Sequence, residues 1–470
     1  VADKRLGALA LTAALAVAAP AAAQPAYPGQ AAFRALYQEL VEINTTLSAG
    51  SCTAASEAMA ARLKAAGYPD VDVKIYVPAD RPRDGNLVAI LPGSNKAAKP
   101  ILLLAHLDVV EAKREDWVRD PFKLVEEGGY FYARGAADDK AMAAAFTDAL
   151  VRYRQEGFKP KRAIKLALTC GEETPDTFNG VEWLLREHPG VLDAEFALNE
   201  GAGGRIENGK RLFVGMQAGE KVYQNYQLEV TNPGGHSSRP VKDNAIYRLA
   251  AALTKIGAFD FPVAINEATK LYFDRMGALQ GGPMGEAMRA VAAAPAAPPN
   301  AALQAVASDP SYNAMMRTTC VATLVSAGHA DNALPQRAGA NVNCRILPGE
   351  SVDQILATLT GVIADPQVKV TPSGKLSPVS PPPALTARVL GPATAVAEEM
   401  YPGVPIIPAM STGATDSRFL LPAGVPGYGL SGMGGEPDGG GVHGLNERIR
   451  VDTLYEGREF LYRVVKLYAR

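Results

Sequence analysis

The 470-residue sequence has no excess of charge of either sign: 47 Lys and Arg against 49 Asp and Glu leave a formal charge of −2. That excludes the strongly basic composition by which a nucleic-acid binder neutralises phosphates. It is also poor in cysteine, with four in the whole chain, too few for a disulfide framework to stand in for a hydrophobic core. Beyond its first two dozen residues it has no apolar run near the roughly 20 residues that a helix needs to cross a bilayer. What is present is a globular composition, 47% hydrophobic, in a chain long enough for two or more domains.

The N-terminus is the exception to the missing apolar runs. Lys4 and Arg5 precede an apolar stretch from Leu6 to about Ala19, and Ala21-Ala22-Ala23 then forms a small-residue cleavage site. Residues 1–23 are expected to be a secretory signal peptide, and the mature protein to be secreted or periplasmic. A membrane anchor is the weaker reading, because the segment is Ala-rich and short. In an exported protein, Cys320 and Cys344, which fall in two expected strands, are candidates to pair. Cys170 reads as a buried small residue.

Apolar residues at spacings of three and four mark helices over 31–47 and 54–66. Strand-like runs follow at VDVKIYV, NLVAIL, ILLLAHL, AIKLALT and EFALNE, with helical stretches over 140–153 and 180–187 between the later ones. Strands alternating with helices predict an α/β catalytic domain with a mostly parallel sheet over 24–221. From residue 222 the order becomes β-α-β-β-α-β, a ferredoxin-like α+β pattern that predicts an inserted domain over 222–378. Within it, 281–310 is rich in Ala, Pro and Gly and is expected to be an irregular or helical surface excursion. The proline cluster VSPPPA marks a linker, and the α/β character resumes over 379–470, ending in a helix over about 451–469.

Residues with chemistry gather at strand ends. LLLAHLD places His106 and Asp108 at the end of a buried strand with both side chains on one side. An aspartate there can take the second imidazole N–H of a metal-bound histidine, or simply satisfy a core histidine. YARGAADDKA sets Asp138-Asp139 before a helix, where aspartates also serve as N-caps. TCGEETPD carries the adjacent Glu172 and Glu173 out of another strand, ALNEGAGG carries Glu200, and GGGVHGLNERI puts His443 in a glycine-rich loop. Each alone reads as a turn, a cap or a solvated carboxylate. Together, successive ends of one parallel sheet bring them to one edge, where ligands bind in open α/β sheets. Two imidazoles and three carboxylates suit a pair of Zn²⁺-like ions sharing a bridging carboxylate.

The ordered motifs HLD, GRGA-x-D-x-K, EE, NE, GGHSS-x-P and HG-x-NE, written here as RGAADDK, GEE, NEG, GGHSSRP and HGLNE, resemble the M20 family of dinuclear zinc peptidases and amidohydrolases over about 102–449. The resemblance implies a zinc-exopeptidase-like fold interrupted by a dimerising lid, and two Zn²⁺ per chain, with Co²⁺ or Mn²⁺ as possible substitutes. It implies His106 and Glu200 on one metal, Glu173 and His443 on the other, and Asp138 bridging. Asp108 would orient His106. Glu172 would be the general base, taking a proton from water and passing it to the leaving amine. Ala141 stands where the family usually has glycine, a departure that touches helix packing and not the ligands.

The same resemblance implies that His236 reaches the active site of a partner subunit in a homodimer and stabilises the oxyanion there. Asn332 and Arg345 would bind the substrate's terminal carboxylate, the guanidinium in a bidentate fork, with Arg418 of TGATDSRF as a further contact. The expected substrate is a peptide or N-acyl amino acid with a free carboxylate, cut by a carboxypeptidase or dipeptidase. An aminoacylase- or desuccinylase-type deacylase is the alternative. A non-catalytic binding module is disfavoured because no ligand and no base is lost. Glutamate at position 200 leans towards the carboxypeptidases and deacylases of the family.

Overall fold

The computed structural model describes residues 27–174, 177–376 and 378–470. The expected signal peptide lies outside the described residues. Among those described, no helix is long and apolar enough to cross a membrane.

The larger sheet runs, in order, Val73–Tyr76, Asn86–Leu91, Ile164–Thr169, Ile101–His106, Phe196–Asn199, Gly427–Gly429, Lys210–Glu220 and Ile406–Ser411. Its centre is parallel: Ile101–His106 pairs in parallel with both Ile164–Thr169 and Phe196–Asn199, with His106 level with Thr169. The strand Ile101–His106 is buried along its whole length, which is why it reads as an unbroken apolar run rather than an alternation. The helix Lys140–Gln155 lies against it and is buried through the run from Lys140 to Leu150. Its alanines at 141 and 143–145 are small enough to let helix and sheet approach closely. Helices Gln30–Glu42 and Val451–Tyr468 pack beside it and complete the main core.

The second sheet has the order Thr319–Ala327, Arg337–Ile346, Val222–Thr231, Val368–Ser373, all neighbours antiparallel. Helices Ala245–Gly257 and Val352–Ile363 cover one face and form a separate core with it. This is the expected ferredoxin-like arrangement. The helix Val352–Ile363 starts where the sequence marks it, at a capping box in which Ser351 and Gln354 exchange side-chain and main-chain hydrogen bonds.

The stretch 281–310 is helical, one of the two forms expected of it, and belongs to a larger four-helix unit over Glu267–Met316 with a core of its own. That unit docks through the helix Glu267–Gln280 onto the edge strand Ile406–Ser411 of the large sheet, where Asn266 Nδ2 meets Met410 Sδ at 3.0 Å. It covers a sheet edge that would otherwise stand open. Cys170 is not a free buried thiol. It is bonded to Cys52 at the start of the helix Cys52–Ala65, Cα–Cα 5.9 Å, tying that helix to the end of Ile164–Thr169. Cys320 and Cys344 do pair; they face each other across adjacent strands of the second sheet.

Candidate metal centre

Three parallel strands end side by side and deliver the first donors. His106 is the last residue of its strand, Glu172 and Glu173 follow Thr169, and Glu200 follows Asn199. Gly171 makes the turn into the glutamate pair with φ +92°, and a Cβ there would lie 2.3 Å from the Phe178 carbonyl oxygen, so only glycine fits. Asp138 enters from the loop before the helix Lys140–Gln155, across a cis peptide to Asp139, and His443 from the loop before the last strand and helix. Asp139 occupies the N-cap position of that helix without making a side-chain cap bond.

The donor atoms form two sets sharing one carboxylate. His106 Nε2 lies 3.1 Å from Asp138 Oδ1 and 3.8 Å from Glu200 Oε1. His443 Nε2 lies 3.1 Å from Asp138 Oδ2 and 2.8 Å from Glu173 Oε1. In each set one ligand atom per residue falls within 4.8 Å of the others. Asp138 thus turns one oxygen to each imidazole. A third cluster, Cys52, Asp108 and Cys170, has its two sulfurs joined to each other in a disulfide and so offers no thiolate ligand.

The chemistry of these donors fits cations. His106 Nδ1 donates to the Asp108 main-chain carbonyl at 3.0 Å, which leaves Nε2 facing two carboxylate oxygens. Against its burial, Glu200, Asp138 and Asp108 raise the imidazole well above its ordinary range, so that edge calls for positive charge, from a proton or a cation. The carboxyls bear the same mark. Burial, with Glu172 and Asp138 close by, raises the Glu200 carboxyl well above its ordinary range despite nearby His106. Burial likewise raises Glu172, with Asp416 and Glu173 adding to it. Burial opposes ionisation of Asp138 too, yet hydrogen bonds from His106 and His443 hold it low. His443 is pushed up to about 10 by Asp138 and Glu173. Two dications would supply the missing positive charge.

Around the donors lies a supporting layer. The expected contact from Asp108 to His106 is made by the Asp108 carbonyl, whereas its carboxylate stands 3.7 Å from Nδ1. That carboxylate instead accepts the main-chain N–H groups of Glu172 and Glu173, at 3.2 and 3.0 Å. Glu447, fully buried, accepts from Arg134 Nη1 and Gly135 N on one oxygen and from Ala137 N and Asp138 N on the other. Arg134 also reaches the Gly444 carbonyl, beside His443. Asp416 accepts from Thr169 and Asn179 behind the glutamate turn. None of Glu447, Arg134 or Asp416 was singled out from the sequence, although the HGLNE motif contained Glu447.

Two chambers flank the donor sets. The first, about 650 Å³, lies between catalytic body and lid, with Glu172, Glu173 and His443 on one wall and Arg345 and Arg418 on others. Arg345 stacks over Tyr223 at 4.8 Å and Arg418 over Phe419 at 4.7 Å. Arg418 Nε and Nη2 are closed to solvent and without a hydrogen-bond partner. The second, about 280 Å³, opens beside Asp138 and Glu200. His236 and Asn332 line neither. They meet at a two-strand ribbon of the lid, where Ser237 N donates to the Asn332 carbonyl and the exposed His236 accepts from Ser238.

Known proteins share this architecture. The chain is 30% identical over 387 residues to the human N-fatty-acyl-amino acid synthase/hydrolase PM20D1, covering 80% of this chain and 75% of that one. It is 28% identical over 399 residues to the probable carboxypeptidase S-like 2 of Dictyostelium discoideum, covering 81% and 74%. The M20 family metallo-carboxypeptidase Sso-CP2 of Sulfolobus solfataricus superposes with a TM-score of 0.69 at 18% identity, covering 93% of this chain and 99% of that one. Residues 102–467 match the model of peptidase family M20/M25/M40, and the chain belongs to that family.

Proposed function

We propose that this M20 hydrolase, an enzyme acting on amide bonds, uses two Zn²⁺ ions to cleave peptides or N-acyl amino acids that carry a free carboxylate. The observation that carries the reading is the sharing of Asp138 between two histidine-containing donor sets, directly beside Glu172 and open to a cleft with Arg345. His106, Asp138 and Glu200 would hold one ion, and Asp138, Glu173 and His443 the other. Bound there, the ions would polarise the amide carbonyl and make water more acidic.

The chain's own residues supply the remaining steps. Arg345 and Arg418 attract the substrate carboxylate into the first chamber and set the amide against the donor edge. Glu172 reaches the same chamber and carries the proton from water to the leaving nitrogen, so its carboxylate is acceptor first and donor second. Asp108 fixes the main chain of that glutamate and of Glu173 by accepting one N–H from each. The carboxypeptidase and dipeptidase reading and the deacylase reading both use this geometry.

We further propose a homodimer formed through the lid. The strand Thr319–Ala327 is an open sheet edge, and Val321, Leu324 and Val325 on it are 61–71% exposed. Pairing of two such edges would carry His236 and Asn332 to the partner's cleft. Export from the cytosol is supported by two disulfides among the described residues. The test is a panel of dipeptides and N-acyl amino acids incubated with purified protein, with chelator and after zinc return. Cleavage abolished by chelator and restored as about two zincs per chain rebind is expected; cleavage indifferent to chelator overturns the reading.

A further inference from the structure

We infer that Cys52 and Cys170 are positioning residues for the proposed amide hydrolysis: the bond between them sets the turn that carries Glu172 and Glu173, and turnover depends on that bond being closed. This rests on the two-metal reading of the site and concerns what stands behind it. Cys170 is the first residue after the strand Ile164–Thr169, and Glu172 follows two residues later, within about 7 Å of extended chain. A shift of Cys170 therefore reaches the base and the neighbouring ligand with little chain to absorb it.

Both cysteines are buried, and their sulfurs form a group with an Asp108 carboxylate oxygen in which all the atoms lie within 4.8 Å of one another. That carboxylate is the acceptor for the main-chain N–H groups of Glu172 and Glu173. The disulfide thus backs the acceptor that fixes the turn. A closed disulfide has no proton to donate, so the Asp108 oxygens stay with the two N–H groups; opened, the bond leaves two S–H donors beside the same oxygens. The far end of the bond is firm. Cys52 opens the helix Cys52–Ala65, whose Ala55, Met59 and Leu63 are buried in the main core and whose first turn is capped by Ser51. Cys170 is also tied through its main chain, its N–H donating to Asn86 Oδ1 at 3.0 Å and its carbonyl accepting from Gly180 N at 2.7 Å. Those ties hold its peptide beside the strand, whereas the disulfide is what joins its side chain to a separate element.

The test compares the Cys320→Ala/Cys344→Ala protein, in which this disulfide alone is left, with itself in two states. A trialkylphosphine opens the bond: the disulfide takes two electrons and two protons, and the phosphine takes the oxygen of water and becomes the oxide. The phosphine is removed, both thiols are counted, and zinc is returned. On the best substrate of the dipeptide and N-acyl amino acid panel, kcat is expected to fall about 10–100-fold, the loss that a misplacement near 1 Å brings. KM should stay close to its value, because Arg345 and Arg418 lie off this turn. The zinc held by Glu173 and His443 is expected to bind about 10–100-fold more weakly and the one held by His106 and Glu200 to change less, read by competition with a chromogenic chelator. Reoxidation should restore both. Cys52→Ala/Cys170→Ala in the otherwise unchanged chain should reproduce the reduced state permanently. Equal kcat and equal zinc affinity in the two states overturns the positioning role and leaves amide hydrolysis standing. A chain that unfolds whenever the bond is absent overturns it too, since the bond is then a staple of the fold. An oxidised protein that cleaves nothing overturns the hydrolysis, and the zinc competition still decides what the bond does.

Discussion

The Glu447 carboxylate accepts the Asp138 main-chain N–H at 3.1 Å, although 309 residues separate the two in the chain. Through Arg134, the same carboxylate is tied to the Gly444 carbonyl in the His443 loop. One buried ion pair therefore holds both loops that carry shared-site donors. Glu447→Gln replaces an acceptor oxygen by an NH₂ that faces N–H donors. We expect metal affinity to fall about 10–100-fold, as when a partner behind a ligand is lost, and stability to fall by about 3–5 kcal/mol from the broken buried pair. Zinc competition by a chromogenic chelator reads the first and denaturant unfolding the second. Unchanged zinc affinity in the folded variant would remove Glu447 from this role.

The adjacent glutamates should separate cleanly. Glu173 touches His443, whereas Glu172 has its main chain fixed by Asp108 and faces the cleft. Glu172→Gln is expected to keep both metals and substrate affinity while losing about 10²–10⁴ in turnover. Glu173→Gln is expected to weaken metal binding at the His443 side. Metal counts and single-turnover rates on the two variants check this, and the reverse pattern would exchange the assignments.

Much of the site is legible in the sequence because its donors sit at strand ends, where a buried apolar run and the polar residue after it are neighbours in the chain. His106, Glu173 and Glu200 are of this kind, and helices Gly180–Glu187 and Val352–Ile363 coincide with their sequence readings for the same local reason. What escapes depends on distant partners. The Cys52–Cys170 bond joins residues 118 apart, and Glu447 acquires its role only when its loop folds onto 134–138. The long strand Lys210–Glu220 was not foreseen, since Gly215 and Gly219 interrupt its pattern. Its pairing with Gly427–Gly429 is antiparallel, as are the pairings of Asn86–Leu91 with both its neighbours, so the sheet is mixed. The helices of 281–310 looked like surface because Ala and Gly are apolar enough to pack and too small to announce it.

Stability should carry a pH signature from Glu220, which lies at the junction of body and lid and accepts from Thr415 and Gln217. Burial raises its carboxyl to about 7 against hydrogen bonds from Thr415 and the charge of Arg418. A carboxyl raised in the folded state binds its proton more tightly there than when unfolded. Its stabilising contribution is therefore complete below about pH 4.5 and is lost as pH rises to about 7. The loss is on the order of 2 kcal/mol after allowance for solvent screening. Glu220→Gln keeps an acceptor and cannot ionise, so the variant should gain on the wild type between pH 5 and pH 8. Parallel urea titrations of both proteins at those two pH values test it, and a constant difference would refute the linkage.

The lid histidine should act across the proposed dimer. His236 is exposed on the lid ribbon and lines neither chamber of its own chain, while the open edge Thr319–Ala327 offers a self-complementary contact that a two-fold axis would repeat on both subunits. A chain with His236→Ala keeps its own donors and Glu172 but lends nothing to its partner. A chain with Glu172→Gln lends the histidine but cannot use its own site. Each mutant homodimer is expected to be nearly inactive, since loss of one oxyanion donor costs about 10²–10³ in turnover. After subunit exchange at equal concentration, half of the dimers are hybrids with one complete site of two, so activity should recover to roughly a quarter of wild type. Exchange followed by mass-tagged chains makes the result decisive: hybrids that form without recovering activity would place His236 outside the partner's reaction.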